Sequence, residues 1–146
     1  WVIVSSPLIL SFDLTNTTTM DSVWPFIANP EAIAINQAWE GHPGRQVFSN
    51  RSYQLWSKPV EGGVAVFAVN MGAEAPLTIT IDLDMVSKEL SPDSSVRDVW
   101  NQKSGGAATA SKFTLPALAP HNSSLLIFST VTPTSVGSRS TAPLEH

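Results

Sequence analysis

Carboxylates are the residues of this chain best suited to breaking covalent bonds. Acid–base hydrolysis uses a pair of them, one protonated and one ionised, held at a fixed separation. The candidates are Asp13, Glu31, Asp82, Asp84, Glu89, Asp93 and Asp98. Asp13 directly follows an apolar run. If that run is a strand of a (β/α)8 barrel, Asp13 lies on the catalytic face, at the substrate rim. The favoured alternative is that Asp13 closes the turn after the run by accepting backbone hydrogen bonds. Glu31 falls in the first turn of a helix signal, where a negative charge complements the macrodipole. The other five read as solvated strand faces and loops. No pair emerges, so no catalytic residue is assigned.

Other chemistry is thinly represented. The three histidines, His42, His121 and His146, lie far apart with no acidic cluster beside them, which gives no metal site. There is no Gly-rich phosphate loop, and no cofactor is implied. Cysteine is absent, so disulfides and thiolate sites are excluded. Five tryptophans invite a sugar-stacking reading, but Trp56 and Trp100 fall in strand patterns and read as core. Trp39 reads as a wedge between two halves of the chain. Three Asn-X-Ser/Thr triplets, at Asn16, Asn50 and Asn122, are glycosylation candidates and point to a secreted or endomembrane, lysosome-like compartment. A net charge of −4 offers no basic surface for nucleic acid or anionic membrane.

The elements that must position these residues fall into two groups. Residues 1–10 (WVIVSSPLIL) form a continuous apolar run, which predicts a strand buried on both faces, as in a parallel sheet. The run is too short to span a bilayer. Residues 21–28 predict a short helix capped by Asp21 or Ser22. Asn29 followed by Pro30 predicts a second helix. From residue 46 to 129 the pattern changes to about six short strands between turn signals. Residues 64–69 are apolar on both faces. Leu77, Ile79, Ile81 and Leu83 alternate with polar residues, and Glu61-Gly62-Gly63 marks a hairpin. Spacing of this kind without helices predicts a mainly β fold with an antiparallel sandwich. Phe67, Ile79, Trp100, Phe113 and Leu126 are its expected core. Residues 130–146 are rich in Ser, Thr and Pro and predict a disordered tail, with Leu144-Glu145-His146 as the start of an appended tag.

The motifs resemble, in order, the C-terminal part of α-galactosidases and α-N-acetylgalactosaminidases (glycoside hydrolase family 27). Ser6-Pro7-Leu8-Ile9-Leu10-Ser11 with Asp13-Leu14 resembles the end of the eighth barrel strand. Asn29-Pro30-Glu31-Ala32-Ile33-Ala34-Ile35-Asn36-Gln37 resembles the helix before the barrel exits, and Gly41 and Pro43-Gly44-Arg45 follow it. Leu55-Trp56-Ser57-Lys58-Pro59, residues 66–70, Val96-Arg97-Asp98-Val99-Trp100, and Pro120-His121 with Leu125-Leu126 resemble sandwich strands. Phe12 and Ala38-Trp39 depart from the common pattern, as in a divergent branch.

The resemblance implies a division into residues 1–45, the last βα segment of a catalytic barrel; 46–129, the sandwich; and 130–146, the tail. It implies a retaining hydrolase of terminal α-linked galactose-like sugars. Its two catalytic aspartates end the fourth and sixth barrel strands, and no residue here matches either. This chain alone is therefore expected to be inactive. Its expected partner is the rest of the barrel, as a separate chain or as a preceding segment, with a glycan as substrate. Val2, Ile3, Val4, Leu8, Ile9 and Leu10, six large aliphatic residues among the first ten, need cover. A second copy of the chain, bound through that run, is the alternative occupant. The competing class is a stand-alone, non-catalytic β-sandwich that binds a partner or a carbohydrate.

Overall fold

The computed structural model describes residues 1–129, and the expected tail lies outside them. The frame is a six-stranded antiparallel sheet. Its strands are β1 (Arg45–Ser49), β2 (Tyr53–Val60), β3 (Gly63–Asn70), β5 (Ser95–Asp98), β6 (Lys103–Ala107) and β8 (Ser123–Ser129). The spatial order is β1-β2-β3-β8-β5-β6. β4 (Thr80–Asp82) and β7 (Lys112–Thr114) form a second, two-stranded sheet, extended by a bridge between Leu77 and Leu118.

The hairpin joining β2 and β3 is turned by Glu61 and Gly62, with Gly62 at φ +70°. Gly63 is needed for a different reason: a Cβ there would collide with the Phe128 carbonyl of the adjacent strand. Alternation along the strands gives the large sheet two apolar faces. Leu55, Val64, Val66, Ala68, Leu126 and Phe128 face the small sheet, where Ile79, Ile81, Leu83 and Leu115 complete a closed core. Phe113 packs edge-on against Phe128, with ring centroids 5.6 Å apart. Ile79 and Leu126 are fully buried as expected. Phe67, Trp100 and Phe113 are half-buried.

Among the described residues eight strands form rather than six. β1 pairs through a bulge between Gln46 and Phe48, which breaks the alternation that would reveal it. β6 has the sequence KSGGA, with no β-branched or aromatic residue, and is held only by pairing to β5. A short helix, α3 (Leu83–Val86), is capped by Asp82 and turns Leu83 and Val86 into the core.

The outer face of the large sheet meets the N-terminal segment. Helix α1 (Thr17–Ile27) starts four residues before the expected helix, because the Asn16 side chain accepts from the Thr19 amide at 3.0 Å and caps it there. Pro25 is therefore inside the helix rather than in its first turn. Helix α2 (Pro30–Gln37) begins as expected: Asn29 accepts from the amides of Glu31 and Ala32, with Pro30 at the first helical position. The expected strand over residues 1–10 does not form. Val2 to Ser5 make a turn, and residues 6–10 carry no regular structure. A parallel strand is held by its neighbours on each side, and none pairs with it among the described residues. Ile3 alone of this run is buried, against Ala32, Ile35, Ala65, Val99 and Leu125. Its carbonyl crosses so close to Gly44 that a Cβ at that position would collide with it.

Candidate functional site

The chemically suggestive residues gather where the N-terminal segment meets the outer sheet face. Asp13 is exposed, and its Oδ1 accepts from the Thr15 amide at 2.9 Å and the Thr15 hydroxyl at 2.7 Å. These bonds hold its carboxyl below the usual carboxylate range, so it is ionised at neutral pH. The geometry is that of a turn-closing aspartate.

Above Asp13 in the chain, α2 is tied to the sheet at both ends. At its start, the buried Asn29 donates from Nδ2 to the Val99 carbonyl at 2.8 Å while its oxygen caps the helix. Glu31 and Arg97 form a two-bond pair, with Nε–Oε2 at 3.0 Å and Nη2–Oε1 at 2.6 Å. Arg97 lowers the Glu31 pKa, and Glu31 raises that of Arg97. At its end, Lys58 of β2 donates to the carbonyls of Ile35 and Asn36 and to the Ser5 hydroxyl. Asn36 Nδ2 in turn donates to the Ser6 carbonyl at 2.8 Å.

Between residues 1–10, α1, α2 and the sheet lies an apolar groove of about 610 Å³. Trp1, Ile9, Trp24, Phe26, Ile33 and Trp100 are among its walls. Phe26 meets Trp100 edge-on, with centroids 5.8 Å apart. Trp1 is 83% exposed and Ile9 80%, far beyond what an apolar side chain in a finished core shows. Ile33 faces this groove, and Ala32 and Ile35 make the contact with the sheet. Trp56 and Trp100 pack against the outer cluster. Trp39 is 63% exposed.

The structure keeps the remaining candidates apart. His42 and His121 are exposed loop residues, with His121 at φ +57°. Asn16, Asn50 and Asn122 are all exposed, at the start of α1, in the β1–β2 turn and before β8. Each uses its side-chain oxygen to hold local backbone amides. Sequence reasoning missed Lys58 as a site residue. Its signal was a lysine sharing a strand face with Trp56 and Val60, both apolar.

Residues 50–128 match the family model described as the α-galactosidase C-terminal β-sandwich domain. α-Galactosidase 3 of Arabidopsis thaliana is 33% identical over 116 residues, which is 77% of this chain and 26% of the relative. An α-galactosidase of Lachancea cidri is 31% identical over 128 residues, 76% of this chain and 27% of the relative. The crystal structure of α-galactosidase I from Mortierella vinacea superposes with a TM-score of 0.72 at 29% identity, over 88% of this chain and 33% of that one. The chain thus spans about a quarter of the length of the curated relatives it matches. With more than half of the chain matching that model and the α-galactosidase I structure superposing over most of it, the chain belongs to the α-galactosidase family, as a C-terminal portion built around that family's β-sandwich domain.

Proposed function

We propose that this chain is the C-terminal portion of a retaining glycoside hydrolase acting on terminal α-linked galactose-like sugars. It supplies the end of the catalytic barrel and the sandwich that supports it. The observation that carries the reading is the two-sided large sheet. One face closes a core of its own, and the other clamps α2 beside an unfilled apolar groove. The groove is the seat of the rest of the barrel, on the same polypeptide or a separate one. Asp13 stands at the substrate rim, and the two catalytic carboxyl groups, about 5–5.5 Å apart in a retaining site, lie elsewhere in the complete protein. Asn16, Asn50 and Asn122 are sites for N-linked glycans in a secreted or endomembrane, lysosome-like compartment, and their exposure supports that reading.

The self-contained inner core favours a second reading, a stand-alone module that binds a partner or a carbohydrate. One experiment separates the two. The isolated chain should not hydrolyse an aryl α-galactoside. The same chain expressed in line with the upstream region of its own gene should hydrolyse it, with the α-anomer as first product by proton NMR. A β-anomer first would overturn the retaining mechanism. Turnover by the isolated chain that vanishes in Asp13→Asn would overturn the assignment of the catalytic pair elsewhere. An inactive in-line protein would favour the module.

A further inference from the structure

A lysine stands in the middle of an apolar sheet face. Lys58 shares the outer face of β2 with Trp56 and Val60 and is 0% exposed. A buried ammonium is costly unless its charge and its three donors are met. Here they are met without a carboxylate. Nζ donates to the Ile35 carbonyl, to the Asn36 carbonyl at 3.1 Å and to Ser5 Oγ at 2.6 Å. The only ion pair among the described residues, Arg97–Glu31, involves the opposite end of α2. The carbonyls of Ile35 and Asn36 belong to the last turn of α2, where no further helical amide reaches them and the macrodipole presents its negative end.

The same contacts reach the N-terminal stretch. Ser5 is held at φ +55°, a region that residues other than glycine seldom occupy unless their surroundings fix them. Its hydroxyl is bound to Lys58. The next carbonyl, of Ser6, is bound by Asn36. One amine therefore joins a sandwich strand, a helix end and the stretch that runs on to Asp13.

We propose that Lys58, as an ammonium ion, is a positioning residue: its charge, rather than its volume, docks the C-terminal end of α2 on the sandwich and fixes the course of residues 5–13. It touches no substrate and acts through Ser5 and Asn36. The consequence for a substrate rim at Asp13 rests on the hydrolase reading above; the docking itself is a property of this chain. Burial pushes the Lys58 amine below its ordinary pKa. Three acceptors without a carboxylate form a shell that an ammonium, with three donors and no lone pair, fills completely.

The test uses this chain. At neutral pH, nitrogen-15 NMR should show a slowly exchanging ammonium signal from Lys58. Lys58→Met keeps an unbranched apolar stem, one atom shorter, and removes the charge and donors, leaving two helix-end carbonyls unpaired. Hydrogen exchange at the amides of α2 and at Ser5 and Ser6 should quicken by about tenfold or more, while the amides of β3 and β8 stay protected. Lys58→Ala opens a slot shaped for n-propylammonium. That cation should restore the lost protection, and 1-propanol, similar in shape but uncharged, should not. If either variant fails to fold, recovery of folding of Lys58→Ala by propylammonium alone supports the proposal, and no recovery overturns it. A neutral-amine signal, wild-type exchange in Lys58→Met, or equal rescue by the alcohol would each overturn it as well. None of these readouts is enzymatic activity, so a failed latch leaves the hydrolase reading standing, and the reverse holds too.

Discussion

The two faces of the large sheet are buried by different means. The inner face is closed mainly by aliphatic and aromatic side chains from β4, α3 and β7, with one polar tie at its end, where Asn70 Nδ2 donates to the carbonyls of Ala75, Leu118 and Ala119. The outer face is also apolar, but the segment on it is located by polar groups at fixed points: Asn29 on Val99, Glu31 on Arg97, Lys58 on the end of α2, Asn36 on Ser6. Burial is non-directional and tolerates small shifts. Directed hydrogen bonds do not, and they specify one orientation. The inner face makes the domain stable, and the outer face makes the junction definite.

The comparison can be broken by substitution. Phe128→Ala empties the centre of the inner core, where Phe128 is wholly buried. Urea titration should show a loss of about 3–5 kcal/mol, a large part of a domain's roughly 5–15 kcal/mol, with the whole sheet unfolding in one step. Asn29→Ala strikes the outer face. It removes a helix cap and leaves the buried Val99 carbonyl unpaired, at an expected cost of about 1–3 kcal/mol. Hydrogen exchange should place that loss in α2 and leave β2, β3 and β8 unchanged. An Asn29→Ala effect that matched Phe128→Ala and spread through the sheet would erase the distinction.

The smallest effect is expected at the Glu31–Arg97 pair, which is partly exposed and screened by salt. Arg97 lowers the folded-state pKa of Glu31 from its ordinary 4.5. Stability from this pair is therefore fully present above that value and is lost as pH falls through the depressed folded value. Glu31→Gln should flatten that part of the acid limb of the melting curve and change little at neutral pH. An undiminished acid limb in the variant would assign it to other carboxylates.

The sequence was most readable where one physical signal acted alone. Leu77 through Leu83 alternates because one side of that segment faces the core. Residues 64–69 are apolar throughout because both faces of β3 are covered. Asn29-Pro30 announces α2 through capping chemistry that is local. Residues 1–10 were misread because a continuous apolar run states only that cover is needed; it does not say that strand neighbours are present. The inward role of Lys58 was hidden for the opposite reason. A lysine by itself signals solvent, and only knowledge of what lies over the outer face of β2 reverses that. The Glu31–Arg97 pair spans 66 residues, a separation at which sequence carries no pairing signal. Asp13 had two readings from sequence, and its bonds to Thr15 show how its turn is closed.

The position of β8 sets a schedule for synthesis. It is the last of the eight strands among the described residues, yet it lies in the middle of the sheet, between β3 and β5. Until it emerges from the ribosome, β1-β2-β3 and β5-β6 are two separate flaps, each with an unpaired edge. At about 5–20 residues per second, the roughly fifty residues between the end of β3 and the start of β8 keep the β3 edge open for several seconds. A message cut short before Ser123 would yield a protein lacking the strand that joins its two flaps.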